Sequence, residues 1–315
     1  MAVRLGVARL ISAVPLLIFA SMCAFAIIHL TPGDPVAFML PDTASNAEIA
    51  AVRHQMGLDL PLPLQYLHWV GAAAHGDLGY SFINSQPVSR LIGDRLPVTL
   101  SLVLVAMVLA VPIAFVLGTL AGAYEGTLID RAITVYASLG LAMPGFWIGL
   151  LLAYFVAVEL RLLPAVGFVA FDKDPLAWLE HLILPALTLS IGISAELIRQ
   201  LRSSMADVMR RDYIQTAEAK GLPWPTILGK HAFRNAAIPV FTILGLQLIR
   251  ALGGAVIIEL VFAVPGFGSL VVGAASARDL PVLQGVILVT AVMALGVNFL
   301  VDLGYLYLDP RLRSA

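Results

Sequence analysis

Apolar residues in this chain do not alternate with polar ones in a strand or surface-helix rhythm; they run on unbroken. A bilayer core about 30 Å thick needs roughly 20 mostly apolar residues to be crossed by a helix, the fold that satisfies its own backbone groups in hydrocarbon. Six stretches meet or approach that length, from about 8 to 30, 98 to 122, 134 to 158, 182 to 200, 237 to 262 and 284 to 307. The fourth is interrupted by Pro185, Ser190, Ser194 and Glu196, which predicts a span lined by other helices rather than by lipid. Arg4 and Arg9 ahead of the first run, and Ala24-Phe25-Ala26 within it, also fit a cleaved leader. The apolar stretch continues to Ile28, which suits a retained span better.

Composition agrees. Of 315 residues, 60% are hydrophobic and 12% charged, with a mean hydropathy of +0.92. Soluble domains have about 25% charged residues. A net charge of −1 supplies no basic field for a phosphate backbone, which excludes nucleic acid as a partner. The single cysteine, Cys23, offers neither an internal disulfide nor a zinc cluster. Lys and Arg in short loops stay on the cytoplasmic side. Twelve of them fall on the side of both termini and six on the other, with Arg250 inside a span, so both termini are expected in the cytoplasm.

Two segments exceed the length of plain connectors: an external loop over 31–97 and an internal one over 201–235. The external loop predicts a short helix from Ala47 to Met56, stopped by Gly57 and followed by Pro61, Pro63 and an aromatic patch of Tyr66, Trp69, Tyr80 and Phe82. That patch reads as an interfacial aromatic belt with a polar cap more readily than as a ligand site. In the internal loop, Met205, Val208, Met209, Tyr213 and Ala217 draw one stripe along a helix between Ser203 and Lys220, opposite Arg210, Arg211, Glu218 and Lys220. Gly221 is placed to end it, and Pro223 and Pro225 prevent it from resuming. The small Ala217, Ala219 and Gly221 allow close approach by another protein, with Tyr213 as an anchor, although an amphipathic helix lying on the membrane has the same periodicity. A second short helix over Trp224–Arg234 is expected, with Asn235 capping the fifth span and Pro239 in its first turn.

The run Asp212-Tyr213-Ile214-Gln215-Thr216-Ala217-Glu218-Ala219-Lys220-Gly221, followed by His231-Ala232-Phe233-Arg234-Asn235 and Pro239, resembles the EAA-type cytoplasmic loop of ABC importer permeases for dipeptides, oligopeptides and nickel. The resemblance extends over nearly the whole chain. It takes in Pro32-Gly33-Asp34-Pro35, Gly57-Leu58-Asp59, Gly76-Asp77-Leu78-Gly79-Tyr80-Ser81, Pro144-Gly145-Phe146-Trp147, Leu184-Pro185-Ala186, Val264-Pro265-Gly266-Phe267-Gly268 and Asp309-Pro310-Arg311. It implies an all-α polytopic membrane protein with six transmembrane helices, in the order first span (1–30), external loop (31–97) and a core of five spans (98–315). It further implies ATPase coupling through Tyr213, Thr216, Ala217, Ala219, Lys220 and Gly221. The partners implied are a second permease subunit, as a heterodimer, two cytoplasmic ATPase subunits and an extracytoplasmic solute-binding protein received by 31–97 and 263–283, all at the cytoplasmic membrane.

No G-x-x-x-x-G-K-[ST] loop occurs: Gly229-Lys230 is preceded by Trp224 where the first glycine belongs and followed by His231 where Ser or Thr belongs. Hydrolysis of ATP is thus expected on another chain, no cofactor is expected here, and neither an H-E-x-x-H helix nor a G-x-S-x-G elbow supports an enzyme. Polar residues at membrane depth, Gln247, Arg250, Glu259 and Asn298, are candidates for lining a translocation path or for hydrogen bonding between helices. Glu259 fits the family pattern, whereas Arg250 stands where its members usually have a small residue. Arg250 and Glu259 lie about 13.5 Å apart along the helix, too far to pair with each other. An ion-gradient-driven carrier or channel, with helices broken near the midplane, is the alternative transport reading; a membrane scaffold leaves the external motifs unexplained.

Overall fold

The computed structural model describes residues 2–30, 45–55 and 57–308. They form helices α1 (Ala2–Leu30), α2 (Asn46–Gln55), α3 (Leu62–Ala74), α4 (Val88–Ala123), α5 (Leu128–Ala142), α6 (Gly145–Leu152), α7 (Pro175–Met209), α8 (Asp212–Ala219), α9 (Trp224–Thr226), α10 (Arg234–Val261), α11 (Phe267–Ala277) and α12 (Leu280–Leu308). Wider π turns continue α6 over Ala153–Glu159 and join α9 to α10 over Ile227–Phe233. Among the described residues the extended backbone amounts to one isolated bridge, Tyr80 with Pro87, so the all-α expectation holds. The chain divides into two compact units, one chiefly Met1–Pro97 with Ser269–Leu306, the other chiefly Val98–Gly268.

By length and composition, the described residues do not reach the expected count of six spans. Four helices are long and apolar enough to cross a membrane, and a fifth span results if α5 and α6 are counted together. Those two meet at 105°. Met143 precedes Pro144 and is held extended (φ −83°, ψ 133°), because the proline ring disfavours helical backbone before it and the proline lacks an N–H to continue the ladder. In α1 the shorter stretch Val14–Leu30 is the apolar part described. The external segment is more helical than its prolines suggested. α3 starts where Pro63 sits in the first turn, which has no intrahelical bond to lose. Helix α11 likewise replaces an expected loop.

Local rules account for the ends of α2 and α7. Ser45 and Glu48 form a capping box, Ser45 N donating to Glu48 Oε2 at 2.8 Å and Glu48 N to Ser45 Oγ at 3.3 Å. Glu48's carboxyl is therefore held below its ordinary range. Gly57 (φ +66°) then turns the chain, and across that turn His54 Nδ1 and Asp59 Oδ2 lie 2.6 Å apart. Each raises the other's charged form: the imidazole titrates above, the carboxyl below, its usual value. At α7, Asp174 Oδ1 accepts from the N–H groups of Leu176 and Ala177 ahead of Pro175.

Within Val98–Gly268 the interrupted fourth span is the centre. α7 packs against α5, α6 and α10, and three of its buried hydroxyls bond back to its own backbone. Thr188 Oγ1 donates to Leu184 O, Ser190 Oγ to Leu187 O and Ser194 Oγ to Ile191 O, at 2.8, 2.8 and 3.0 Å. Tyr136 of α5 adds a 3.1 Å bond to Ser194. Small residues let neighbours in close. A Cβ on Gly122 would lie 2.4 Å from Met205 Cβ and 2.7 Å from the Arg202 carbonyl; one on Gly118 would lie 2.9 Å from Leu201 Cβ. Gly118 and Gly122 are a G-x-x-x-G pair, the spacing that brings two helix backbones together. Gly122→Ile should therefore destabilise the folded chain by about 1–3 kcal/mol through overpacking. Gly253→Ala, with nothing near its added methyl, should change little; melting temperatures of the two variants in one detergent provide the check.

Candidate functional site

The predicted stripe from Ser203 to Lys220 is divided between two helices. α7 runs out to Met209, the chain turns at Arg210-Arg211, and α8 begins at Asp212. The break places Ile214 and Ala217 on the inner face of α8, buried at 0% and 6% exposure, and leaves Tyr213, Thr216, Ala219, Lys220 and Gly221 on the outer one. Ile214 is the residue that the sequence reading missed, although its three-residue spacing to Ala217 is a helical signal. Gly221 closes α8 with φ +71°. Its N–H bonds to Glu218 O at 2.8 Å and that of Leu222 to Ala217 O at 3.2 Å, the paired bonds of a Schellman cap.

This short helix is tied to the turn between α4 and α5. Arg202, one face of α7, forks onto Asp130 of α5 at 2.5 and 2.8 Å. Asp130, with 5% of its side chain exposed, also accepts from Gly126 N at 2.8 Å and Thr134 Oγ1 at 3.2 Å. Arg210 reaches Glu125 at 2.6 Å. Beyond α8, Trp224 Nε1 donates to Tyr124 OH at 3.2 Å. Residues 124–130 thus hold both ends of the α8 segment. Tyr213 OH accepts from Asn235 Nδ2 at 3.0 Å, and the same amide donates to His231 O at 3.0 Å. Asn235 does not cap a span as expected, and Pro239 is interior, because helical turns run continuously from Trp224 to Val261.

The polar residues at membrane depth have different surroundings. Glu259 is fully buried and accepts from Thr99 Oγ1, which in turn accepts from Phe267 N at 2.7 Å. Gly266 lies against that carboxylate: a Cβ there would be 2.3 Å from it. A Cβ on Gly268 would lie 2.6 Å from Val256 Cα, so the Val264-Pro265-Gly266-Phe267-Gly268 run is a chain reversal moulded over Glu259 and α10. Gln247 is buried, while Arg250 and Asn298 are exposed. Among the described residues no carboxylate lies in ion-pair range of Arg250. The side chains of Arg4, Arg9, Asp302 and Tyr305, and the segments Pro32–Pro35 and Asp309–Arg311, lie outside the described residues.

Comparison with known proteins decides what this arrangement belongs to. Residues 114–314 match the family described as binding-protein-dependent transport system inner membrane component, and residues 2–103 match its N-terminal companion. The chain belongs to that family. Two relatives match it over nearly its whole length. A protein of Brucella abortus (strain 2308) assigned as a peptide transport system permease is 40% identical over 305 residues, 97% of each chain. The oligopeptide transport system permease protein of Bacillus subtilis (strain 168) is 38% identical over 312 residues, 96% of this chain and 97% of that one. Among solved structures, the inward-facing MetNI methionine ABC transporter shares the fold, with a TM-score of 0.56 at 15% identity over 70% of this chain and 96% of that one. This permease is therefore an integral inner-membrane transport component of an ABC importer, with ATP hydrolysis the work of partner chains. The broken α5–α6 span, a feature expected of an ion-driven carrier, occurs here within an importer permease.

The two ion pairs beneath α8 should differ in weight. Arg202→Ala leaves Asp130 buried without its cation and should cost about 3–5 kcal/mol. Arg210→Ala removes a pair whose side chains are 69% and 39% exposed and should cost about 0–1 kcal/mol. Thermal unfolding of both variants in the same lipid discs separates them.

Proposed function

We propose that this permease imports peptides and that α8 is the element through which ATPase subunits drive it. The observation that carries the reading is a rigidly held, outward-facing short helix: Tyr213, Thr216, Ala219, Lys220 and Gly221 are exposed, Ala217 is set in the core beneath them, and the turn at 124–130 braces both ends. A helix so braced passes a push on to α5 and α7 instead of absorbing it. The peptide substrate is supported by the names of the full-length relatives.

In this reading two ATPase subunits bind at α8 in the cytoplasm, where both termini also lie, and a second, non-identical permease chain completes the path. A solute-binding protein delivers peptide to the external segments within 31–97 and 263–283. Closure of the ATPase pair on ATP shifts α8, and the spans alternate between two openings; each ligand must favour one opening by differential affinity. Gln247, Arg250 and Asn298 line the path. For Glu259, complete burial and the Thr99 bond support a structural role in holding the reversal at Gly266.

Gly221→Val puts a β-branched residue at φ +71° and breaks the cap of α8. In reconstituted vesicles it should leave ATP hydrolysis within about twofold of normal while uptake falls at least about tenfold, roughly 1.4 kcal/mol of coupling. Cysteines at Thr216 and Lys220 should crosslink to the nucleotide-hydrolysing chain. Normal uptake with normal hydrolysis, together with no crosslink, would remove α8 from coupling. Arg250→Gly should alter uptake and leave assembly of the complex intact; unchanged transport kinetics would take Arg250 off the path.

A further inference from the structure

In the unit of Met1–Pro97 and Ser269–Leu306, a cleft of about 590 Å³ opens beside the His29 end of α1, within the size range of small-molecule sites. Phe25, Trp69 and Tyr80 supply aromatic surface, with the Phe25 and Trp69 rings 6.3 Å apart. Gln284 of α12 also lines it. This residue is only 3% exposed, and its Nε2 is the one buried side-chain nitrogen or oxygen among the described residues that has no hydrogen-bond partner. Gln65, on another wall, instead donates from its Nε2 to the carbonyls of Leu58 and Leu60 at 3.1 and 2.7 Å.

An unpaired buried amide destabilises a fold, whereas an apolar group of the same shape would not. Residues that cost stability in this way are found where function needs them. The chemistry of the partner can be read from the walls. A carboxamide offers a donor and an acceptor in one plane, the complement of a peptide group. The aromatic faces suit an apolar side chain. Asp77 lies on the rim, exposed; one oxygen accepts from Gly79 N at 2.9 Å, and the other is left for a cation.

We infer that this cleft binds a short peptide directly, with a peptide group on Gln284, an apolar side chain against Phe25 and Trp69, and the amino terminus near Asp77. The choice of peptide over other amides rests on the import reading above. The site is separate from α8 and from the polar residues of α10.

The test uses the full chain with its co-purifying partners in phosphatidylethanolamine–phosphatidylglycerol discs, without ATP or binding protein, titrated with Ala-Phe in a calorimeter. Gln284→Leu should raise the melting temperature and weaken Ala-Phe binding at least tenfold. Trp69→Ala should weaken it comparably. Asp77→Asn should weaken Ala-Phe but not N-acetyl-Ala-Phe. The assignment is overturned if the unaltered chain takes up no Ala-Phe at millimolar concentration, or if Gln284→Leu binds normally. It is equally overturned if affinity falls only together with stability, or if the heat follows the phosphatidylglycerol content of the discs. Peptide uptake by the complete transporter, assayed in parallel, separates the two ideas: uptake with unaltered Gln284→Leu affinity removes the cleft alone, while absent uptake removes the import reading.

Discussion

The close approach of α7 to its neighbours is the constraint on which the Val98–Gly268 unit depends. Lipid gives no hydrophobic reward for helix association, so contact must come from packing and internal hydrogen bonds. This chain meets that requirement with glycines opposite α7 side chains, Gly118 and Gly122 on α4, Gly140 on α5 and Gly149 on α6, and with hydroxyls that return their bonds to the α7 backbone. A helix carrying Thr188, Ser190 and Ser194 would be a poor span if it faced lipid; enclosed on several sides it is a sound one.

Rigidity at that centre extends to the α8 segment. Arg202 leaves α7 just before the helix ends and is clamped on Asp130, whose remaining acceptor capacity goes to Gly126 and Thr134. Packed cores shift between discrete arrangements rather than deform smoothly. In the coupling proposed for α8, a force on it would therefore reach α5 and α7 as displacement of whole helices. The two π turns, Ala153–Glu159 and Ile227–Phe233, interrupt otherwise regular ladders and are the local irregularities at which such displacement can be accommodated.

Buried polar groups divide into two kinds. Glu259 and Asp279 are hydrogen-bonded from distant parts of the chain: Thr99 of α4 donates to Glu259, and both Ser81 Oγ and Phe82 N donate to Asp279. Gln284 is the other kind, enclosed yet unbonded; Arg250 belongs to neither, being an exposed cation in the middle of a long apolar helix.

Run lengths of apolar residues, read alone, determined that the chain is helical and membrane-embedded, because a backbone in hydrocarbon has almost no alternative. Gly221 marked the end of α8, because only a residue without Cβ takes the left-handed cap cheaply. The motif series pointed to an importer permease, and Tyr213 through Gly221 to the segment proposed above to couple it. Tertiary structure alone decided that the stripe from Met205 to Ala217 is split at Arg210-Arg211, that Pro144 bends a span by 105°, and that Asn235 bonds Tyr213 instead of starting a helix. It also paired Asp130 with Arg202 and Thr99 with Glu259, partners 72 and 160 residues apart. Periodicity reports which face of a helix is apolar, but not what stands opposite it; that is set by the path of the whole chain.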